Sequence, residues 1–146
     1  MTTKITMAVL ILALAYTIMP EANAEASIYS GRYTKHFKPR SHLNEDNEVI
    51  QIQWGDDGRF YNAGTFVNSH YVRSYQLGIG ESWKYGRHEL GVGASAIYGY
   101  EGYIHTLGYG VLVSPGLYYQ FNIAKRISFK VLVMPAVYNA GFSYGF

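Results

Sequence analysis

Polar and apolar residues alternate along most of this chain, with the period of two that marks half-buried strands rather than the 3.6-residue period of helices. The clearest run closes the sequence: Phe142, Tyr144 and Phe146 take every second position, with Ser143 and Gly145 between them. Aromatics so spaced lie on one face of a strand. Farther back, Tyr75, Leu77 and Ile79 alternate with Ser74, Gln76, Gly78 and Gly80, and Leu90, Val92, Ala94, Ala96 and Tyr98 with Glu89, Gly91, Gly93 and Ser95. The pattern predicts about eight strands, near 27–36, 48–54, 60–66, 71–83, 89–98, 107–121, 127–134 and 138–146. In the first, Ile28, Ser30 and Arg32 are expected on one face and Tyr29, Gly31 and Tyr33 on the other; in the second, Ile50, Ile52 and Trp54 are expected to face lipid. In the sixth, Leu107, Tyr109, Val111 and Val113 are expected outward, and the same face continues beyond Pro115.

Tight turns are predicted at Asp56-Asp57-Gly58, where glycine takes a positive φ at low cost, and at 84–87 and 123–126. Longer connections fall at 37–46, 67–70, 99–106 and 135–139. Short and long connections therefore alternate, as they do in a barrel with a turn end and a loop end.

The N-terminal segment has a different character. Lys4 precedes an apolar stretch from Met7 to Met19, which Pro20 breaks before the small-x-small triplet Ala22-Asn23-Ala24. This is the layout of a secretory leader, and the stretch is short of the roughly 20 apolar residues of a membrane-spanning helix. Residues 1–24 are thus expected to be a signal peptide and 25–146 the mature domain. The whole reads as an all-β protein, an eight-stranded antiparallel transmembrane β-barrel of a bacterial outer membrane. An even strand count places both termini on one side, expected to be the periplasm. The terminal aromatic strand resembles the signal read by the outer-membrane barrel assembly machinery, which is an expected partner during biogenesis.

Composition agrees. Sixteen glycines and fifteen tyrosines suit strands and bilayer interfaces better than helices. The net charge of +2 survives loss of the leader, which carries Lys4 and Glu21, and is too mild to argue for nucleic acid. No cysteine is present, so neither disulfides nor thiolate metal sites are expected.

Chemistry has few places to reside. An eight-stranded barrel encloses just enough room for side chains or one narrow ligand. The expected inward face of strands four to six carries Gly78, Gly80, Gly91, Gly93, Gly108 and Gly110. These either leave a slot for an acyl chain or make room for large residues opposite, such as Phe66, Tyr118 and Met134. Of the five histidines, His36, His42, His70 and His105 fall near the long loops, while His88 lies beside a short turn. No pair has metal-ligand spacing, so no metal and no cofactor is expected. Ser69, between Asn68 and His70, could be activated by an imidazole reaching it across the rim. Lys35, Lys38 and Arg40 either contact lipid A phosphates or form a solvated basic loop.

Several short motifs, in order, resemble one family. Asn44-Glu45, then Phe66-Val67-Asn68-Ser69, Leu77-Gly78-Ile79-Gly80, and Met134-Pro135-Ala136-Val137-Tyr138-Asn139-Ala140-Gly141 are similar to segments of the lipid A palmitoyltransferase (PagP-type) family. The resemblance implies a small outer-membrane barrel that moves a palmitoyl-like chain from a phospholipid to lipid A. It implies His36 as the family's loop histidine, with His42 the alternative, and Ser69 as its serine. Asn68 stands where the family has aspartate. Gly78 and Gly80 would line the acyl pocket, with Gly80 at the floor that sets chain length, and Pro115 and Pro135 would interrupt strand pairing so that lipids enter sideways. A phospholipase would use the same Ser, His and Asn. A non-catalytic barrel, binding lipid or a surface partner, would instead have its lumen plugged by inward side chains.

Overall fold

Strands form where the alternation runs: β1 (Glu25–His36), β2 (Val49–Asp56), β3 (Arg59–Val67), β4 (Arg73–Tyr85), β5 (His88–Tyr98), β6 (Val111–Asn122), β7 (Ile127–Met134) and β8 (Val137–Gly145). The computed structural model describes residues 25–38, 40–56, 58–102 and 110–146. The expected leader, His105 and the expected outward residues Leu107 and Tyr109 lie outside them.

Each strand pairs antiparallel with the next, and β8 returns to β1 between Ser27↔Gly145 and His36↔Val137. Closure gives every strand of the barrel a neighbour on both sides over at least part of its length. Ile28, Ile50, Ile79, Val92, Leu117 and Phe142 are exposed outward, as a lipid-facing band requires. Exposed aromatics gather at both ends of this band. Tyr33, Phe37 and Tyr71 ring the loop end, and Trp83, Tyr85, Tyr144 and Phe146 ring the end that carries the short turns and Phe146 itself.

The lumen is filled in layers. Beneath the loop end, Tyr29, Val49, Phe66 and Ile97 form an apolar cluster against which Tyr100, Leu112, Leu132 and Met134 pack. Gln76 then donates past Gly64 of β3 to Gln51 at 2.9 Å. Nearer the turn end, Phe60 meets Tyr118 edge-on at 5.3 Å between ring centroids. The Tyr118 hydroxyl donates to Glu89 at 2.5 Å, and Lys130 donates to Gln53 at 2.7 Å while lying 4.1 Å from the centre of the Tyr118 ring. A buried amine is tolerable only with such partners. Beyond this layer the lumen opens as a polar mouth of about 1100 Å³ lined by Gln53, Glu89, Ser128 and Ser143 among others.

Three local features depart from simple alternation. In β1 the register against β8 slips between Gly31 and Tyr33, so Arg32 forms a bulge. Tyr33, expected beside Tyr29 and Gly31, is instead 57 % exposed, while Thr34 and His36 turn inward. An odd residue flips every later side chain to the other face. Trp54 is the second departure: it shares a register face with Ile50 and Ile52 but is only 2 % exposed, and it stacks on Tyr61 at 6.1 Å. Third, β6 pairs with β7 only from Leu117↔Val133 to Asn122↔Ser128. Residues 111–116 are paired with β5 alone, which leaves a notch in the wall at the loop end. Pro115, which lacks an N–H to offer a neighbour, lies in that stretch, and Pro135 follows the last residue of β7.

Candidate functional site

Ser69 owes its position to a three-residue hairpin loop between β3 and β4. Such loops combine a type I turn with a following residue in the left-handed region. Asn68, a favoured first residue of that turn, donates its backbone N–H to the Val72 carbonyl at 2.8 Å and accepts from Tyr71 N–H at 3.0 Å. Its side-chain oxygen accepts from the N–H groups of His70 and Val72, at 2.8 and 3.1 Å. Its amide nitrogen donates to Ser74 Oγ at 3.0 Å and to the Gly99 carbonyl at 2.9 Å. Tyr71 takes the left-handed position with φ 62°, where glycine is the usual occupant.

The β1–β2 loop is tied over this turn. Asn44 N–H donates to the Ser69 carbonyl at 2.9 Å, Asn47 donates its side-chain amide to the Val67 carbonyl at 2.5 Å, and both asparagines are buried. His36, the last residue of β1, arrives from the other side of the loop. Its Nε2 lies 2.7 Å from Ser69 Oγ, and its side chain is only 5 % exposed. The opposite ring nitrogen, Nδ1, is buried without a hydrogen-bond partner and lies 3.9 Å from Glu45 Oε1.

The electrostatics of the loop end are consistent with base chemistry. Glu45 accepts a hydrogen bond from Lys35, which is the main reason its carboxyl is held below its ordinary value; Lys35's charge and the His36 backbone N–H add to this. His70 is pushed down by burial first, and then by the neighbouring His42 and His36. Burial pushes the Tyr100 hydroxyl up, although its hydrogen bonds to the Ser69 side chain and backbone N–H oppose that. Ser69 Oγ thus touches an imidazole, and the Tyr100 phenol lies close to Ser69. An imidazole whose Nε2 is unprotonated accepts the serine proton, and a phenol beside the same oxygen can donate to a developing oxyanion.

Among the expected site residues, His36 and Ser69 come together. Asn68 does not reach the imidazole: all its polar atoms hold the turn, so its part is to place Ser69. His42 is exposed in the loop, and no contact brings it to Ser69. Lys35 is committed to Glu45, whereas Lys38 and Arg40 are exposed on the same loop. His88 stays at the turn end, 2.7 Å from the Tyr119 hydroxyl.

At the expected acyl pocket, Gly78 and Gly80 are closely packed. A Cβ on Gly80 would stand 2.4 Å from Phe60 Cζ and 2.3 Å from the Val92 carbonyl oxygen, and one on Gly78 would stand 2.3 Å from Ser95 Oγ and 2.8 Å from the Asn62 amide nitrogen. These glycines make room for side chains already in the lumen. What open space exists near them is a cavity of about 50 Å³ that reaches the β6–β7 notch between Gly116, Leu132 and Met134. Pockets that enclose a sizeable ligand are several-fold larger, from about 300 Å³ upward.

Glu45 and Tyr100 complete the site without having been singled out for roles. Glu45 enters the sequence only as part of the Asn44-Glu45 motif, with no role attached to it, and Tyr100 is one of fifteen tyrosines, so neither carries a spacing signal.

No protein-family model matches this chain, and no curated protein matches it. Among solved structures it is similar to a barrel described under "De novo design of transmembrane beta-barrels", with a TM-score of 0.63, 12 % identity, and coverage of 88 % of this chain and 100 % of that one. At that identity the likeness concerns the fold alone: a closed, eight-stranded, antiparallel barrel of the kind that spans membranes.

Proposed function

We propose that this protein is an outer-membrane enzyme that moves a fatty acyl chain from a phospholipid ester to lipid A, a palmitoyltransferase-like activity. The observation that carries the reading is the 2.7 Å contact between His36 Nε2 and Ser69 Oγ at the barrel rim. Nε2 takes the serine proton as Oγ attacks the ester carbonyl, forming the new C–O bond. In this reading the tetrahedral oxyanion is met by the Tyr100 hydroxyl, which lies close to Ser69. The bond to the glycerol oxygen breaks, and that oxygen leaves with the proton from the imidazolium. A lipid A hydroxyl then attacks the acyl-serine by the same base catalysis, restoring Ser69. With Phe60 and Ser95 occupying the glycine faces, the donor chain enters from the bilayer through the β6–β7 notch rather than along Gly78 and Gly80. Lys38 and Arg40 provide cations for lipid A phosphates.

The filled lumen favours a second reading, a barrel that binds lipid or stiffens the membrane without turnover. One assay separates them. Folded protein in detergent is incubated with an isotope-labelled phosphatidylcholine and lipid A, and products are read by mass spectrometry. An acyl increment on lipid A that falls at least ~100-fold in Ser69→Ala and in His36→Ala is the expected result. Released free acid alone indicates a phospholipase. No product from a heat-modifiable, folded barrel leaves the non-catalytic reading.

A further inference from the structure

We infer that Glu45 is the positioning carboxylate of His36, holding the imidazole with its proton on Nδ1 so that Nε2 is free to accept from Ser69. The inference deepens the acyl-transfer reading and rests on it for its kinetic arm only.

Three observations converge. First, Nδ1 of His36 is buried and unpartnered, and leaving a buried polar group unpaired is costly. Something in the working state must satisfy it. Second, the group nearest to doing so is Glu45 Oε1 at 3.9 Å, an ion-pair distance just outside hydrogen-bond range. Glu45 sits in a loop, half-buried, and contacts in catalytic sites are commonly longer before substrate binds. Third, the residue beside Ser69 cannot do it. Asn68 has neither a charge nor a spare polar atom, since its oxygen and its nitrogen each make two bonds within the turn.

The two ring nitrogens divide the work. A carboxylate at Nδ1 stabilises the Nδ1–H tautomer, which makes Nε2 the acceptor, and stabilises the imidazolium that forms when the serine proton arrives. The groups around the pair are Lys35 on the strand side, with the hydroxyls of Tyr33 and Tyr138 beside that lysine, and His42 and His70 on the loop side. Lys35 keeps Glu45 ionised and limits how far it swings. Arg32, Asp46, Glu48 and Arg73 form a separate exposed network.

The test measures the imidazole nitrogen shifts of His36 by NMR in isotope-labelled, folded protein at neutral pH, alongside kcat/KM against pH. The expected wild-type signature is a proton on Nδ1. Glu45→Ala should convert this to a tautomer mixture and lower kcat/KM about 10-fold or more, chiefly through kcat. Glu45→Gln keeps an acceptor but loses the charge, so the acid limb of its profile should move to lower pH. Glu48→Ala, in the separate exposed network, leaves the Glu45 carboxylate in place and should keep both the tautomer and the limb. A wild-type proton on Nε2 overturns the inference, as does an unchanged tautomer in Glu45→Ala. So does a Glu48→Ala variant that reproduces the Glu45→Ala changes, because Glu45 would then act only by anchoring the loop. If no ester is turned over while the nitrogen shifts behave as expected, the acyl-transfer reading falls and the assignment of Glu45 stands. If Ser69→Ala abolishes transfer while both Glu45 variants match wild type, the assignment falls and the transferase stands.

Discussion

His36 and Ser69 are 33 residues apart in sequence and meet at 2.7 Å because Arg32 bulges out of β1. Were Arg32 instead part of an unbroken alternation, the phase that buries Tyr29 and Gly31 would bury Tyr33 and Lys35 and turn His36 toward lipid. The bulge resets the phase, so Thr34 and His36 share the inner face with Tyr29. β-bulges often re-aim a side chain in this way beside active sites.

Deleting Arg32 should therefore leave the site intact. Gly31, Tyr33 and Thr34 would then alternate in, out and in as an unbroken strand, and His36 would still face inward. The exposed pairs from Arg32 to Asp46 and Glu48 are lost, but exposed ion pairs contribute little. The expected outcome is a folded barrel whose transfer rate in the lipid A assay stays close to wild type; a collapse of activity in a folded protein would show that the bulge itself shapes the site.

The turn that carries Ser69 offers paired stability predictions. Asn68→Ala removes four hydrogen bonds from buried groups and should destabilise the barrel by about 2–4 kcal/mol in denaturant unfolding. Asn68→Asp, although it restores a carboxylate, loses both donors to Ser74 and Gly99 and buries a charge, so it should also destabilise. Tyr71→Gly relieves the left-handed backbone and should stabilise by about 0.5–1 kcal/mol.

Gly80 is a packing position in this barrel. Gly80→Ala places a methyl group against both Phe60 and the Val92 carbonyl and should cost about 1–3 kcal/mol. The length of the chain transferred should not change, as mass spectrometry of the acylated product would show. A shortened product chain from a folded Gly80→Ala barrel would instead place the acyl group against that glycine.

Acid should loosen the loop end before the barrel wall. Glu45 and His70 both titrate below their ordinary values in the folded protein. For a depressed group, the stabilisation is present above the unfolded-state value and is lost as pH falls toward the folded one. The loss therefore begins below about pH 6.5 with His70 and continues below about 4.3 with Glu45. Glu45 is partly solvated, so its share is small. Amide exchange in 40–48 and 68–72 should accelerate from pH 7 to pH 4 relative to the strand amides, each corrected for intrinsic rate.

Much of the barrel was legible in the chain. Alternation such as Leu90, Val92 and Ala94 against Glu89, Gly91 and Gly93 determines both the strand and its inner face, because successive side chains on a strand must point to opposite sides. The short turns were equally readable, since Gly58 and Gly86 hold the positive φ angles that turns require. His36 and Ser69 were recognisable as chemistry-bearing residues at the loop end. What tertiary structure decided were matters of phase and occupancy. Whether His36 faces the lumen depends on a bulge that costs only one residue and has no sequence mark. Whether Gly80 faces a slot or Phe60 depends on the stagger of strands around the barrel, a long-range quantity. That Glu45 reaches His36 depends on a loop held down by Asn44 and Asn47. Local alternation specifies which way each side chain points, while closing the barrel specifies what it meets there.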